Sequence, residues 1–290
     1  MKFVRYLLRN GLRYSIEEFF LRFQIWDHSI SATSELSLGS SISDNSDYVG
    51  IVNAAAHDDI IFAKFRSNRK YRLILEHVTH KLGDKYLSEL KNDEFKIKET
   101  LGRIRNIDLM GGPIRYRFNE IGKVSPTTIR YMFVHNELVK FFGGMDGFKV
   151  VEIGGGFGGQ AAVSKALNST LEWHIYDLPT VSKLQQKFLE RCGIKSVTFH
   201  SGLEIEESKG DLLISNYALS EVSRDLQLEY MNKVVLNCSR GYMAWNLLSE
   251  TETGGLSVKE VLEIIPGSSA VDEVPLSHTG NVVITWGKGF

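Results

Sequence analysis

The sequence predicts an α/β fold: a doubly wound, mainly parallel seven-stranded sheet with an antiparallel C-terminal hairpin, preceded by a helical N-terminal region. Three observations predict it. After Gly147 short apolar runs and helix-period segments alternate strictly, as in a parallel sheet covered on both faces. The last two runs, "DEVPLSH" and "NVVITWG", are too close together for a helical crossover, so they read as an antiparallel pair. The first run, "KVVEIG", ends in a glycine cluster denser than a turn requires.

The elements follow in order. Residues 1–28 read as an amphipathic helix or helix pair, basic at Lys2, Arg5, Arg9 and Arg13 and aromatic at Phe19, Phe20, Phe23 and Trp26. Residues 29–50 are serine-rich and read as a flexible connector. From Val52 to Leu90 the pattern is helical, with His77 and His80 read as structural residues on a helix. A loop or ribbon follows. Ser125 and Pro126 then open a helix to Phe142, serine as N-cap and proline at the first helical position. Beyond Gly147 come "GGQAAVSKAL" (helix), "LEWHIYD" (strand), "VSKLQQKFLERCG" (helix), "SVTFHSG" and "DLLISNY" (strands), "LQLEYMNKVVLNCS" (helix), "GYMAWN" (strand) and "SVKEVLEII". The last of these is a helix opened by a Ser257/Glu260 capping box. The expected division is therefore 1–50 helix and connector, 51–146 helical region or substrate cap, and 147–290 ligand-binding sheet domain.

Composition narrows the class. The chain has 290 residues, 43% hydrophobic and 24% charged, with a formal net charge of −1, so no general affinity for nucleic acid is implied. Cys192 and Cys238 lie far apart without metal spacing and read as free thiols of a cytoplasmic protein. No apolar run is long enough to span a bilayer.

"VVEIGGGFGGQ" satisfies two patterns. Gly154, Gly156 and Gly159 fit the dinucleotide fingerprint G-x-G-x-x-G. Glu152, Gly154, Gly156 and Gly158 fit E-x-G-x-G-x-G, the first motif of S-adenosylmethionine (SAM) methyltransferases. The hairpin ending decides for SAM. A dehydrogenase needs a further catalytic domain, and here the sheet uses up everything after the motif.

"VSPTTIRYMFV", "GFKVVEIGGGFGGQ", "YDLPTVSKLQQKFL", "LLISNYALSEV" and "HTGNVVITWG", together with the chain from Asp58 to its end, resemble a bacterial family of sugar O-methyltransferases of the class I, Rossmann-like fold. The resemblance implies methyl transfer from SAM to a sugar hydroxyl of a surface glycan, nucleotide-linked sugar or glycosylated metabolite. It does not extend to residues 1–50.

The residues then take expected roles. Glu152 and the glycines hold the methionine part of SAM, with Gln160 at its carboxylate end; Asp177 takes ribose hydroxyls, flanked by Tyr176 and Leu178. Asn216 and Tyr217 end the fourth strand near the sulfonium and acceptor. A sugar hydroxyl needs a proton acceptor, and His278 is the first choice, Glu221 the second, His135 the third. Arg115, Tyr116, Arg117 and Arg130 are the acceptor-binding candidates, suited to phosphate or carboxylate. No metal is expected: no acidic pair ends a strand, and Asp58-Asp59 reads as a helix cap. Residues 1–28 are expected to mediate homo-oligomer contact, with a peripheral membrane contact as the alternative. An NAD-binding oxidoreductase and a non-catalytic SAM-fold subunit of a glycan-assembly complex are the competing readings.

Overall fold

The computed structural model describes residues 46–246, 250 and 254–287. The helix expected over residues 1–28, with its oligomer or membrane contact, lies outside them, as does most of the connector. Residues 46–50 are helical rather than connector: they open α1 (Ser46–His57). Tyr48, Val52 and Ala55, at helical spacing, are buried along one of its faces.

The run expected to be helical from Val52 to Leu90 is divided. After α1 come α2 (Asp59–Phe62), α3 (Arg69–Ile74) and α4 (His80–Asn92). Asp58 caps α2, accepting from the N–H groups of Ile60 at 2.7 Å and Ile61 at 3.0 Å. Residues 75–79 break the helix. Glu76 turns inward to pair with buried Arg66 and accepts the Thr127 hydroxyl at 2.9 Å. Thr79 then caps α4 through the N–H of Leu82.

Further on lie α5 (Ile97–Arg103), α6 (Arg105–Leu109), an antiparallel ribbon of β1 (Tyr116–Phe118) and β2 (Gly122–Val124), and α7 (Pro126–Phe142). The Ser125 side chain makes no cap bond to α7. Its N–H donates instead to Asp108 Oδ1 at 2.9 Å.

The sheet contains β3 (Lys149–Ile153), β4 (Glu172–Asp177), β5 (Val197–Ser201), β6 (Leu212–Asn216), β7 (Gly241–Trp245), β8 (Ser269–Asp272) and β9 (Val282–Trp286), in the order β5-β4-β3-β6-β7-β9-β8. The first five in that order are parallel, and β9 runs antiparallel to both β7 and β8. This is the expected class. The strand before β9 sits earlier than expected, at Ser269–Asp272 instead of "DEVPLSH". Residues 273–281 form the connecting loop because Glu273 turns inward to bind donors of its own loop.

Alternation along the strands separates two cores. Val150, Trp173, Ile175, Leu212 and Ile214 face a cluster shared with α8 (Gly159–Leu167), α9 (Pro179–Arg191), α7 and the N-terminal helices. Val151, Ile153, Tyr176, Leu213 and Met243 face a second, with α10 (Arg224–Lys233) and α11 (Val258–Ile264). The Ser257/Glu260 capping box opens α11 as expected. β4 lies on one side of β3 and β6 on the other, so the strand order reverses at β3. A crevice opens there, beyond the carboxyl ends of the strands. No helix among the described residues is long and apolar enough to cross a membrane.

Candidate functional site

A cavity occupies that crevice. Its floor is Glu152 and Ile153 of β3 with Gly154, Gly155 and Gly156; one wall is Tyr176, Asp177 and Leu178 after β4; the other is Asn216, Tyr217, Ala218 and Glu221 after β6. Tyr48 of α1, Leu75 and His77 of the helix break, and Arg130 and Tyr131 of α7 complete the lining. A second hollow, around Ile51, Ala54, Ile61 and Phe65, lies among the N-terminal helices, away from the strand ends.

The glycine turn has steric causes. Gly154 and Gly156 have φ of 75° and 56°, and a Cβ on Gly154 would sit 2.0 Å from Ala218 Cβ. Gly158, expected beneath the ligand, does not line the cavity. It starts α8 with φ 86°, its α-carbon facing Leu189. A Cβ on Gly159 would meet the Tyr131 ring at 2.3 Å, and Phe157 is buried beside it. Gly159 thus packs against aromatic rings and does not line the cavity.

Glu152 is buried and accepts the Trp173 indole N–H at 2.8 Å. Burial pushes its carboxyl up to about 8, Asp177 adding to the rise and the Trp173 bond opposing it. Asp177 accepts the Leu178 N–H at 2.8 Å, Gln185 Nε2 at 2.7 Å and backbone N–H groups of Gly155 and Gly156; burial raises it to about 6 against those donors. Asn216 Oδ1 is buried without a partner.

At the other end, the Arg130 guanidinium lies 4.8 Å over the Tyr217 ring. Among the described residues Arg130 is the single Lys or Arg of the lining. Glu221, foreseen at the start of the next helix, ends a short 3-10 turn (Ala218–Glu221). Asn246 Nδ2 donates to it at 3.0 Å, and burial raises its carboxyl. His77 faces the cavity because the helix breaks there. Its Nδ1 lies 2.9 Å from the Ile74 carbonyl, which assigns the hydrogen to Nδ1 and leaves Nε2 as acceptor. Burial, then the Arg130 charge, lowers its pKa to about 4, so the ring is neutral at neutral pH.

The remaining expected site residues are not in the lining. His278 is exposed on the β8–β9 loop, its Nδ1 3.1 Å from the Thr279 carbonyl. His135 is buried inside α7 against Ser164 Oγ at 3.2 Å. Gln160 is buried and donates to Ser164 and to the Tyr131 carbonyl. Arg115 pairs with Asp108 at 3.0 Å, and Tyr116 stacks on His80 at 5.1 Å, both at the ribbon. The sequence reading missed Tyr48, Leu75, His77, Tyr131 and Gln185. The signal available for His77 was Thr79, a good N-cap three residues before Leu82. Among the described residues no group of three or more His, Cys, Asp or Glu is placed to hold a metal.

No family model matches the chain, and no curated protein matches it. Solved structures similar to it include PigF with SAH (S-adenosylhomocysteine), at TM-score 0.41 and 14% identity, over 54% of this chain and 61% of that one. The mitomycin 7-O-methyltransferase MmcR gives TM-score 0.42 and 12% identity, over 75% of this chain and 69% of that one. The pyocyanin biosynthetic protein PhzM gives TM-score 0.39 and 13% identity, over 57% of each chain. The chain thus spans less than two thirds of PigF and of PhzM.

Proposed function

We propose that the cavity binds SAM and that the chain transfers its methyl group to a hydroxyl of a sugar. The observation that carries this reading is the charge of the cavity's lining. Among the described residues three carboxyls, Glu152, Asp177 and Glu221, line it against one arginine. A dinucleotide pyrophosphate would want the N–H groups at the start of α8, but neither Gly158 nor Gly159 lines the cavity, and it would face those carboxyls. A sulfonium with an ammonium group suits them.

Each group of the ligand has a counterpart. Glu152 and the unpartnered Asn216 Oδ1 can accept from an ammonium. Arg130, foreseen as an acceptor ligand, is the lining's cation for the methionine carboxylate. Asp177, at the end of β4, stands where ribose hydroxyls would lie, and Leu178 and Val181 give an apolar wall for adenine. SAM supplies a methyl group already activated on sulfur for in-line displacement. The chain's own work is to align the acceptor oxygen, exclude water and take its proton. Glu221 is the proton acceptor in this reading. Its raised carboxyl is a better match to a hydroxyl than neutral His77, which orients the acceptor through Nε2. The sugar class comes from the sequence resemblance, and the hydrogen-bonding groups at the Glu221 end support it.

Calorimetry with SAH and NAD tests the cofactor; a screen of sugar acceptors with SAM, read by mass spectrometry as a gain of one methylene, tests the reaction. Tight NAD binding with no SAH binding would reject the reading.

A further inference from the structure

Tyr217 has φ 74° and ψ −27°, in the left-handed region that a tyrosine rarely adopts. Of the described non-glycine residues there, Glu94, Glu120, Ser196 and Tyr217, it alone lines the cavity. Such a backbone persists only where its surroundings hold it. The Tyr217 backbone is held by its neighbours, its N–H donating to the Ala244 carbonyl at 3.0 Å and its carbonyl accepting from Ser220, while its ring is held from the β8–β9 loop. Its hydroxyl donates to the buried carboxylate of Glu273 and lies 3.0 Å from Ser277 Oγ. Glu273 in turn accepts from the Ser277 N–H at 2.9 Å, from the Ser277 hydroxyl, and from Asn281 Nδ2 at 3.4 Å. Its own N–H donates to the Asn281 carbonyl at 3.0 Å. Glu273 does not line the cavity. The face of the Tyr217 ring carries the Arg130 guanidinium.

We infer that Glu273 is a positioning residue for the anion-binding arginine of the cavity: by holding the Tyr217 hydroxyl it fixes the ring on which Arg130 rests. The donors that converge on Glu273 call for a carboxylate, which only accepts. A glutamine would turn its own NH2 against one of them. The loop over residues 273–281, where His278 was expected to act as a base, is on this account a brace. The inference rests on the SAM reading of the cavity, and it makes a selective demand: only a ligand group that reaches Arg130 feels the loss of Glu273.

The test compares SAH with 5′-methylthioadenosine, which lacks the amino-acid half and its carboxylate. Calorimetry on the full chain gives both affinities for wild type, Glu273→Gln and Ser277→Ala. Glu273→Gln is expected to weaken SAH on the order of tenfold while 5′-methylthioadenosine keeps its affinity within about twofold. Should Glu273→Gln fail to fold, Ser277→Ala, which removes only a hydroxyl, is expected to show the same selectivity at about threefold. Equal weakening of both ligands, or of neither, would overturn the inference while leaving the SAM reading intact. Wild type binding neither ligand would overturn the SAM reading and the inference with it.

Discussion

Gln185 joins the glycine turn to Asp177: its Nε2 donates to the Asp177 carboxylate at 2.7 Å and to the Gly156 carbonyl at 2.9 Å. One buried amide on α9 thus sets the spacing between the floor of the cavity and one wall. Replacing Gln185 with leucine takes the side-chain donor from the Gly156 carbonyl and one of several donors from Asp177, at a cost of about 1–3 kcal/mol for a buried polar group left unpaired. Gln185→Leu is expected to lower the melting temperature and to weaken SAH binding together. Unchanged SAH affinity by calorimetry would show that the turn keeps its shape unaided.

Gly156 lines the cavity with φ 56°, and a Cβ there would already stand 3.4 Å from Leu75. A valine adds backbone strain as well as bulk at the ligand. Gly156→Val is expected to fold and to lose the rise in melting temperature that SAH gives the wild type. A preserved rise would place the ligand elsewhere.

Glu152 makes the stability of the empty protein fall with pH. Its folded pKa, about 8, lies above its unfolded value, so the folded state holds a proton that the unfolded state has released. That stabilisation is full below the unfolded value and is lost as pH rises through 8. Histidines lowered in the fold, His77 and His135, act in the opposite sense but only below their unfolded value of about 6.5. Between pH 6.5 and 8 the Glu152 effect therefore dominates these three. The melting temperature is expected to drop across that window, and the drop to shrink in Glu152→Gln, which keeps an acceptor for Trp173. SAH should bind more tightly as pH rises there, with proton release measurable from the buffer dependence of the binding enthalpy.

Glu221 and His278 separate the site from its periphery. Glu221→Gln is expected to lower turnover by about 10²–10⁴-fold with SAH affinity unchanged, as for a missing general base. His278→Ala, exposed and outside the lining, is expected to leave turnover within about twofold of wild type. Rates on the acceptor found by the sugar screen check both. Wild-type turnover by Glu221→Gln would move the proton acceptor to His77.

The sheet was legible because it repeats a simple code, an apolar run and a helix-period segment in turn, and because the glycine turn and Asp177 lie at strand ends. The other side of the cavity was not. Tyr48 and Tyr131 come from helices, and Leu75 and His77 from a break inside a helix-period run, where the pattern reads as ordinary core packing; residues that face a cavity have the same periodicity as residues that face a neighbour. His278 misled because a histidine in a turn near a strand end carries no sign of which way the loop folds. That direction is set by Glu273, eight residues before Asn281, through bonds that sequence spacing does not encode.

The helix break at residues 75–79 also bears on how such a chain could change its acceptor over time. Glu76 is anchored inward by Arg66 and Thr127, while its neighbours Leu75 and His77 both line the cavity. The anchor belongs to the scaffold, so the two flanking positions can vary without unmaking a strand, a cap or the glycine turn. Selection for a new acceptor would find its cheapest route there, in a pair of residues separated by one fixed peg.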